Sequence, residues 1–123
     1  MTEYDAATDE FNAVQFHFHH PSEHTVNGKY YDLEMHTVHL AKKVNDTANI
    51  KYGAVGIFFS VKNYDMSITT GENNTIKDFF NHLKFDDLGD PVVDKIAYGQ
   101  IMDIVNFNDR WVYKGSVTTP PCD

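Results

Sequence analysis

The chain has 123 residues, 41% of them hydrophobic and 14% aromatic, which is enough apolar material for a packed core and excludes global disorder. Ten basic residues against 18 acidic ones give a net charge of −8, which argues against nucleic acid as a partner because the chain repels a phosphate backbone. The sequence has no apolar run long enough to span a membrane. Its first residues, Met1–Glu10, are acidic and polar, unlike a signal peptide.

Two strands are predicted in the first third of the chain. Apolar and polar residues alternate over 13–20, so one face of a strand there carries Gln15, His17 and His19. Proline, serine, asparagine and glycine then mark a loop. A second strand is predicted from about Asp32 to Leu40, and one of its faces carries Glu34, His36 and Val38.

The middle of the chain predicts a polar turn over 42–49 and a third strand over 53–61. This strand, GAVGIFFSV, is almost continuously apolar, so we expect it to be central and buried on both faces. A helix is predicted over 75–84, with Asn74 or Thr75 as its N-cap.

The last third of the chain carries weaker signals. Residues 96–107 are mixed and apolar, a short strand is predicted over 110–113, and 115–122 is a loop with two prolines. The predicted content is therefore strand-dominated, with one clear helix.

Six of the seven histidines lie between residues 17 and 39. If the second strand returns beside the first, about 4.8 Å away, the rings of His17, His19 and His36 can converge on one ion. Three imidazoles with an open fourth position are typical of catalytic zinc, whereas cysteines usually close structural sites. Gln15 and Glu34 could each fix the ring of the histidine two residues later.

The alternative is that these histidines are structural, as any single histidine on a strand usually is. The pattern H-x-H with a third histidine on a neighbouring strand is more specific, but the spacing alone leaves both interpretations open. The other four histidines are off the converging face or distant from it in sequence. We expect structural or surface roles for His20, His24, His39 and His82.

Three blocks of the sequence resemble the α-class carbonic anhydrases. The segment 15–39, QFHFHHPSEHTVNGKYYDLEMHTVH, is similar to the zinc-binding core of that family, with its pattern Q-F-H-F-H, S-E-H and E-x-H-x-V-H. The segment 111–122, WVYKGSVTTPPC, resembles the family's Y-x-G-S-L-T-T-P-P segment. GAVGIFFSV resembles a strand that lines its hydrophobic substrate pocket, and the order of the blocks also agrees.

The resemblance implies a mainly β (α+β) fold, part of a central twisted, mostly antiparallel sheet with a few short helices. It implies a zinc lyase that hydrates carbon dioxide reversibly to bicarbonate and a proton, and that binds sulfonamide-type inhibitors. The implied zinc ligands are His17, His19 and His36, and Gln15 and Glu34 are the implied partners of His17 and His36.

The resemblance also implies roles around the reacting atoms. Thr118 would accept a hydrogen bond from the attacking hydroxide and donate its own proton to Glu23, because a hydroxyl both donates and accepts. Thr119 would line the bicarbonate site. The apolar wall that holds carbon dioxide would consist of Val38, Ala54 and Val117.

The resemblance further implies that residues 1–123 are a single partial domain that lacks N-terminal and C-terminal portions. Cys122 would then pair with a cysteine outside this chain, as in secreted relatives. Exposed strand edges lead us to expect that the chain alone folds poorly and is weakly active. The competing interpretations are a carbonic-anhydrase-like binding module without catalysis, and a truncated product without a function of its own.

Overall fold

A computed structural model of the chain describes residues 10–42, 52–62, 65–89, 91–93 and 95–122. The chain divides into two compact units, Met1–Tyr64 and Asp65–Asp123. The described part of the first unit contains five strands: β1 (Phe11–His19), β2 (Thr25–Val26), β3 (Lys29–Tyr30), β4 (Leu33–Ala41) and β5 (Tyr52–Phe59). The described part of the second contains two helices: α1 (Thr70–His82) and α2 (Tyr98–Ile104).

The first unit is built on an antiparallel sheet with the strand order β1-β4-β5. The predicted fold class, mostly antiparallel sheet with short helices, is confirmed. The central strand β4 supplies the buried residues Glu34, Met35 and Thr37. A bulge between Ala13 and Gln15 resets the pairing of β1 with β4, after which the register is regular through the histidines.

The third strand is not central in the part of the chain that the structure describes. There, β5 pairs with β4 alone and forms one edge of the sheet, and its alternate residues Tyr52, Ala54 and Gly56 are exposed. The prediction of a strand buried on both faces is therefore wrong for the described residues. Apolar composition shows that a strand can be covered, but does not show which neighbours cover it.

The loop between β1 and β4 contains a small hairpin where the sequence predicted only an irregular loop. Strands β2 and β3 are antiparallel and joined by Asn27 and Gly28, whose φ angles are 52° and 75°. An Asn-Gly pair with positive φ at both positions is the preferred two-residue hairpin turn. This hairpin shortens the path by which the chain returns alongside β1.

Helix α1 begins earlier than predicted, and its N-cap is Thr69, so the predicted caps Asn74 and Thr75 are wrong. The Glu72 N–H donates to Thr69 Oγ1 over 3.2 Å, and the Thr69 N–H donates to Glu72 Oε2 over 2.7 Å. This reciprocal pair is a capping box, which satisfies two backbone N–H groups at the start of the helix, whereas Asn74 or Thr75 alone could satisfy only one.

Helix α2 falls in the segment 96–107, for which no helix was predicted. It packs against α1, and each helix contributes one buried apolar residue, Phe79 from α1 and Ile101 from α2. The strand predicted over 110–113 is absent: the described residues 110–122 contain neither helix nor strand. A short strand forms only beside a partner, which local sequence does not specify.

Most of the predicted turn 42–49 lies outside the described residues. Only Lys42 is described, and its Nζ donates to Glu10 Oε2 over 2.7 Å.

Neither α1 nor α2, the helices of the described ranges, has the length and apolar character that a bilayer crossing requires.

Asp32 holds the chain just after β5, which leads to a pH-dependent prediction. Its Oδ2 accepts the Val61 N–H over 2.9 Å and the Ser60 hydroxyl over 3.1 Å, and these bonds lower the pKa of Asp32 below its ordinary 3.8. The stabilisation is therefore present above the ordinary pKa and lost as pH falls through the lowered one. We expect hydrogen exchange at the Val61 amide to accelerate, beyond its intrinsic pH dependence, across that acidic range. Asp32→Asn should remove this extra acceleration, and persistence of the acceleration in that variant would contradict the assignment.

Candidate metal centre

The structure brings three imidazole rings together on one face of the sheet. His17 and His19 alternate along β1, and His36 lies directly opposite His17 in the β1–β4 register. The ring centroids are 4.9 Å apart for His17 and His19, 5.5 Å for His17 and His36, and 4.5 Å for His19 and His36. One nitrogen of each ring lies within 4.8 Å of the other two, so the three form a possible metal site.

The contacts of the rings indicate which nitrogens face the ion position. His17 Nδ1 lies 2.9 Å from Gln15 Oε1, and an amide oxygen only accepts, so Nδ1 carries the proton and Nε2 is left with a lone pair. His19 Nε2 is buried without a hydrogen-bond partner. Burying such an atom costs free energy unless something satisfies it, and a bound cation would do so. The residues present therefore fit a metal with nitrogen ligands.

Glu34 is a buried carboxylate that connects the third ring to the preceding loop. Its Oε2 accepts the backbone N–H groups of Glu23 over 2.8 Å and His24 over 2.9 Å, and its Oε1 lies 2.6 Å from His24 Nδ1. Oε1 also lies 3.0 Å from His36 Nε2, a second buried nitrogen that, like His19 Nε2, makes no hydrogen bond. The carboxylate thus faces Nε2 of His36 and leaves Nδ1 as the nitrogen that can face an ion.

Two opposing effects determine the ionisation of Glu34. Burial raises the pKa of its carboxyl, but the His24 N–H and then the rings of His36 and His24 lower that pKa by more. Its pKa is therefore below the ordinary 4.5, and the carboxylate is ionised at neutral pH. A carboxylate anion beside the ring of His36 makes that ring a better ligand for a cation.

The ionisation of His17 also suits a metal ligand. Burial lowers its pKa from the ordinary 6.5, and charge on His19 and His36 lowers it further, while the Glu23 carboxylate raises it by less. The neutral imidazole, which is the form that coordinates metals, is therefore favoured at neutral pH.

The loop after β1 places Glu23 beside the rings. The carboxylate oxygens of Glu23 lie 3.5 Å from His19 Nδ1 and 3.8 Å from His36 Nδ1. Besides the bonds to Glu34, the loop is held by buried Ser22, whose hydroxyl donates to the His24 carbonyl over 2.7 Å and accepts the Tyr31 N–H over 2.9 Å. The sequence placed Ser22 within the S-E-H pattern but assigned it no role of its own.

The four remaining histidines all make contacts that suit structural roles. His24 bonds Glu34, and although His24, Glu34 and His36 also lie within ligand distance of one another, the His24–Glu34 pair already satisfies those two groups. The other three place Nδ1 on backbone carbonyls, which are those of Asp32 for His20, Thr37 for His39 and Asp78 for His82.

The remaining predicted site residues divide between the two units. Val38 and Ala54 are paired across β4 and β5, two positions beyond His36 on the same face. Val117, Thr118 and Thr119 lie in the second unit, in the exposed irregular segment. Their placement against the histidines stays a prediction.

With this geometry established, comparisons with known proteins identify the family. The family model for eukaryotic-type carbonic anhydrase matches residues 1–123. The chain belongs to the carbonic anhydrase family. It is 33% identical over 94% of its length to a carbonic anhydrase of Nostoc sp. and 38% identical over 92% to alpha carbonic anhydrase 6 of Arabidopsis thaliana.

Solved carbonic anhydrases share the fold. An α-carbonic anhydrase from Thermovibrio ammonificans, solved with the inhibitor sulfanilamide, is 32% identical and superposes over 94% of the chain with a TM-score of 0.62. A halotolerant carbonic anhydrase from Dunaliella salina is 26% identical with a TM-score of 0.54. The chain spans 39% and 37% of the two curated relatives and 44% and 42% of the two solved chains.

Proposed function

We propose that this chain carries the zinc site of an enzyme that hydrates carbon dioxide reversibly to bicarbonate and a proton. The observation that carries the proposal is the convergence of three imidazole nitrogens, one of them the buried and unpartnered His19 Nε2. Three neutral nitrogen ligands from two strands would hold a zinc ion and leave room for one further ligand, as catalytic rather than structural zinc sites do. Membership of the carbonic anhydrase family supports the choice of metal and reaction.

The chain's own residues would hold the ion in a fixed geometry. His17 and His19 would bind through Nε2 and His36 through Nδ1, because Gln15 and Glu34 face the other nitrogen of His17 and His36. When bound, zinc supplies a Lewis acid that lowers the pKa of water at the open position to about 7, a magnitude known for carbonic anhydrase itself and therefore taken from the family rather than from this geometry.

Glu23 and Thr118 would orient the attacking oxygen. An ionised carboxylate only accepts, so the Thr118 hydroxyl would donate its proton to Glu23 and keep its lone pairs for the attacking group. The loop that holds Glu23 is tied to Glu34 and Ser22, which limits the motion of this carboxylate. An acceptor fixed before reaction lowers the cost of reorganisation in the transition state.

Carbon dioxide is uncharged, so an apolar wall beside the ion suffices to place it. Val38 and Ala54 form adjoining positions of such a wall on the sheet face that carries His36, and Val117 would complete it. Thr119 would line the position that bicarbonate occupies. Sulfonamide-type inhibitors should compete for this region, as the sulfanilamide complex of the Thermovibrio relative suggests.

The test combines zinc content with carbon dioxide hydration, measured on the chain and on a version extended to the length of its relatives. We expect one zinc per chain in both proteins, and zinc-dependent, sulfonamide-sensitive hydration that is strong in the extended protein and weak in the chain alone. His17→Ala should remove both zinc and hydration.

Two other results would contradict the proposal, each in a different way. Zinc bound without hydration in the extended protein would favour a binding module and overturn the enzymatic proposal. Failure of both proteins to bind zinc would overturn the metal site itself.

A further inference from the structure

We infer that Gly56 is a positioning residue of the metal centre: its missing side chain leaves the space in which the Glu34 carboxylate lies against the ring of His36. The inference rests on the proposed zinc site for its functional meaning, but the geometry stands without the ion. Neither membership of the family nor the sequence pattern assigns Gly56 a role.

Sheet register places Gly56 directly beside this part of the site. It pairs with His36 across β4 and β5, and Glu34 is the diagonal neighbour on the same face. Any side chain at position 56 would therefore project between the carboxylate and the imidazole. Glycine is the residue that leaves this region of the face empty.

The distances show that even a methyl group does not fit. A Cβ built on Gly56 would lie 2.9 Å from Glu34 Oε1, and 3.5 Å and 3.7 Å from Cδ2 and Nε2 of His36. The first distance is shorter than real Cβ contacts, while the other two are ordinary van der Waals separations. The backbone of Gly56 is not in the left-handed region, so the reason for glycine here is space rather than conformation.

Glu34 has little freedom to withdraw from an added methyl group. The backbone N–H groups of Glu23 and His24 and the ring of His24 hold its two oxygens, and its side chain is 1% exposed. Displacing Oε1 would break these bonds or push β5 away from β4. In either case the contact between Glu34 and His36 Nε2 would change.

The consequence for the metal is the choice of nitrogen on His36. A carboxylate that only accepts favours a proton on Nε2, which leaves the lone pair on Nδ1 for the ion. Partners of this kind typically change metal affinity about 10–100-fold when they are lost. Gly56 would thus act on zinc through Glu34 rather than by contacting the ion.

The experiment compares Gly56→Ala with the wild-type chain and with Gly99→Ala, a control whose Cβ would meet no atom within 4 Å. We expect Gly56→Ala to weaken zinc binding about 10–100-fold. In the metal-free protein, nitrogen-15 NMR should show the Nε2–H tautomer of His36 dominant in wild type and reduced in Gly56→Ala. Gly99→Ala should change neither readout.

A second variant keeps the inference testable if Gly56→Ala alone is poorly folded. Glu34→Asp withdraws the carboxylate by one methylene, so the double variant should be better folded and should bind zinc more tightly than the two single losses combined predict. The inference would be overturned if the loss of zinc affinity in the double variant equals or exceeds the sum of the two single losses. It would also be overturned if Gly56→Ala keeps the zinc affinity and the His36 tautomer of wild type. If the wild-type chain binds no zinc and Gly56→Ala still reduces the Nε2–H tautomer of His36, the proposed function is overturned and the steric role of Gly56 remains.

Discussion

Replacing His19 with phenylalanine should abolish stoichiometric zinc binding while leaving the metal-free chain as stable as wild type or more so. The substitution keeps an aromatic ring on β1 and removes the buried Nε2 that has no hydrogen-bond partner. It also removes Nδ1, but the contact of Nδ1 with the Glu23 carboxylate is 3.5 Å long and partly exposed, so its loss should cost little. Without metal, Nε2 contributes only a desolvation cost. With metal it is one of three ligands, so its loss should weaken zinc binding by more than the roughly 100-fold that an outer partner costs.

The measurement is zinc titration by calorimetry or chelator competition, together with thermal unfolding of the metal-free proteins. His39→Phe is the matched control, because His39 lies on β4 and contacts only the Thr37 carbonyl among the bonds described for it. It should bind zinc as wild type does. Retention of wild-type zinc affinity by His19→Phe would remove His19 from the ligand set.

Replacing Glu34 with alanine should cause a large loss of stability in the first unit. Three part-buried donors, the N–H groups of Glu23 and His24 and the ring of His24, would lose their buried acceptor. An unsatisfied buried group costs about 1–3 kcal/mol, but water can reach the His24 ring, whose side chain is 41% exposed, so we expect the free energy of unfolding to fall by about 2 kcal/mol or more. Where the protein still folds, zinc affinity should fall about 10–100-fold.

Urea unfolding measures this loss, with Glu10→Ala as the control. Glu10 also carries an ion pair, to Lys42, but the pair is exposed, so its removal should leave the unfolding midpoint almost unchanged. Glu34→Gln should fall between wild type and Glu34→Ala, since it keeps the shape and one accepting oxygen. Equal midpoints for Glu34→Ala and Glu10→Ala would contradict the role of Glu34 in tying the loop to β4.

The strands β1 and β4 and the faces of their histidines could be predicted because apolar and polar residues alternate clearly in both segments. Alternation along 13–20 and 32–40 gave both strands within a residue or two of β1 and β4, and placed the three histidines on converging faces. The contacts of Gln15 and Glu34 with neighbouring rings also followed from the two-residue spacing. Strand periodicity is local, so a single sequence carries it in full.

The features that the sequence did not predict depend on distant parts of the chain or on competing local signals. The edge position of β5 and the absence of a strand at 110–113 depend on which partners are present. The start of α1 was missed because the capping box of Thr69 and Glu72 lies before the apolar face. Gly56 carries no signal in one sequence, since its role appears only once the Glu34 carboxylate is placed.

All three histidines come from one contiguous stretch of chain, in which β1 and β4 are joined by a loop that contains the Asn27–Gly28 hairpin. The entropy of closing that loop is modest, because the cost grows only with the logarithm of its length. Assembly of the histidine cluster therefore depends on a single strand pairing, that of β1 with β4. The candidate ligand set is thus complete within one strand pair, so its geometry is set by the β1–β4 register.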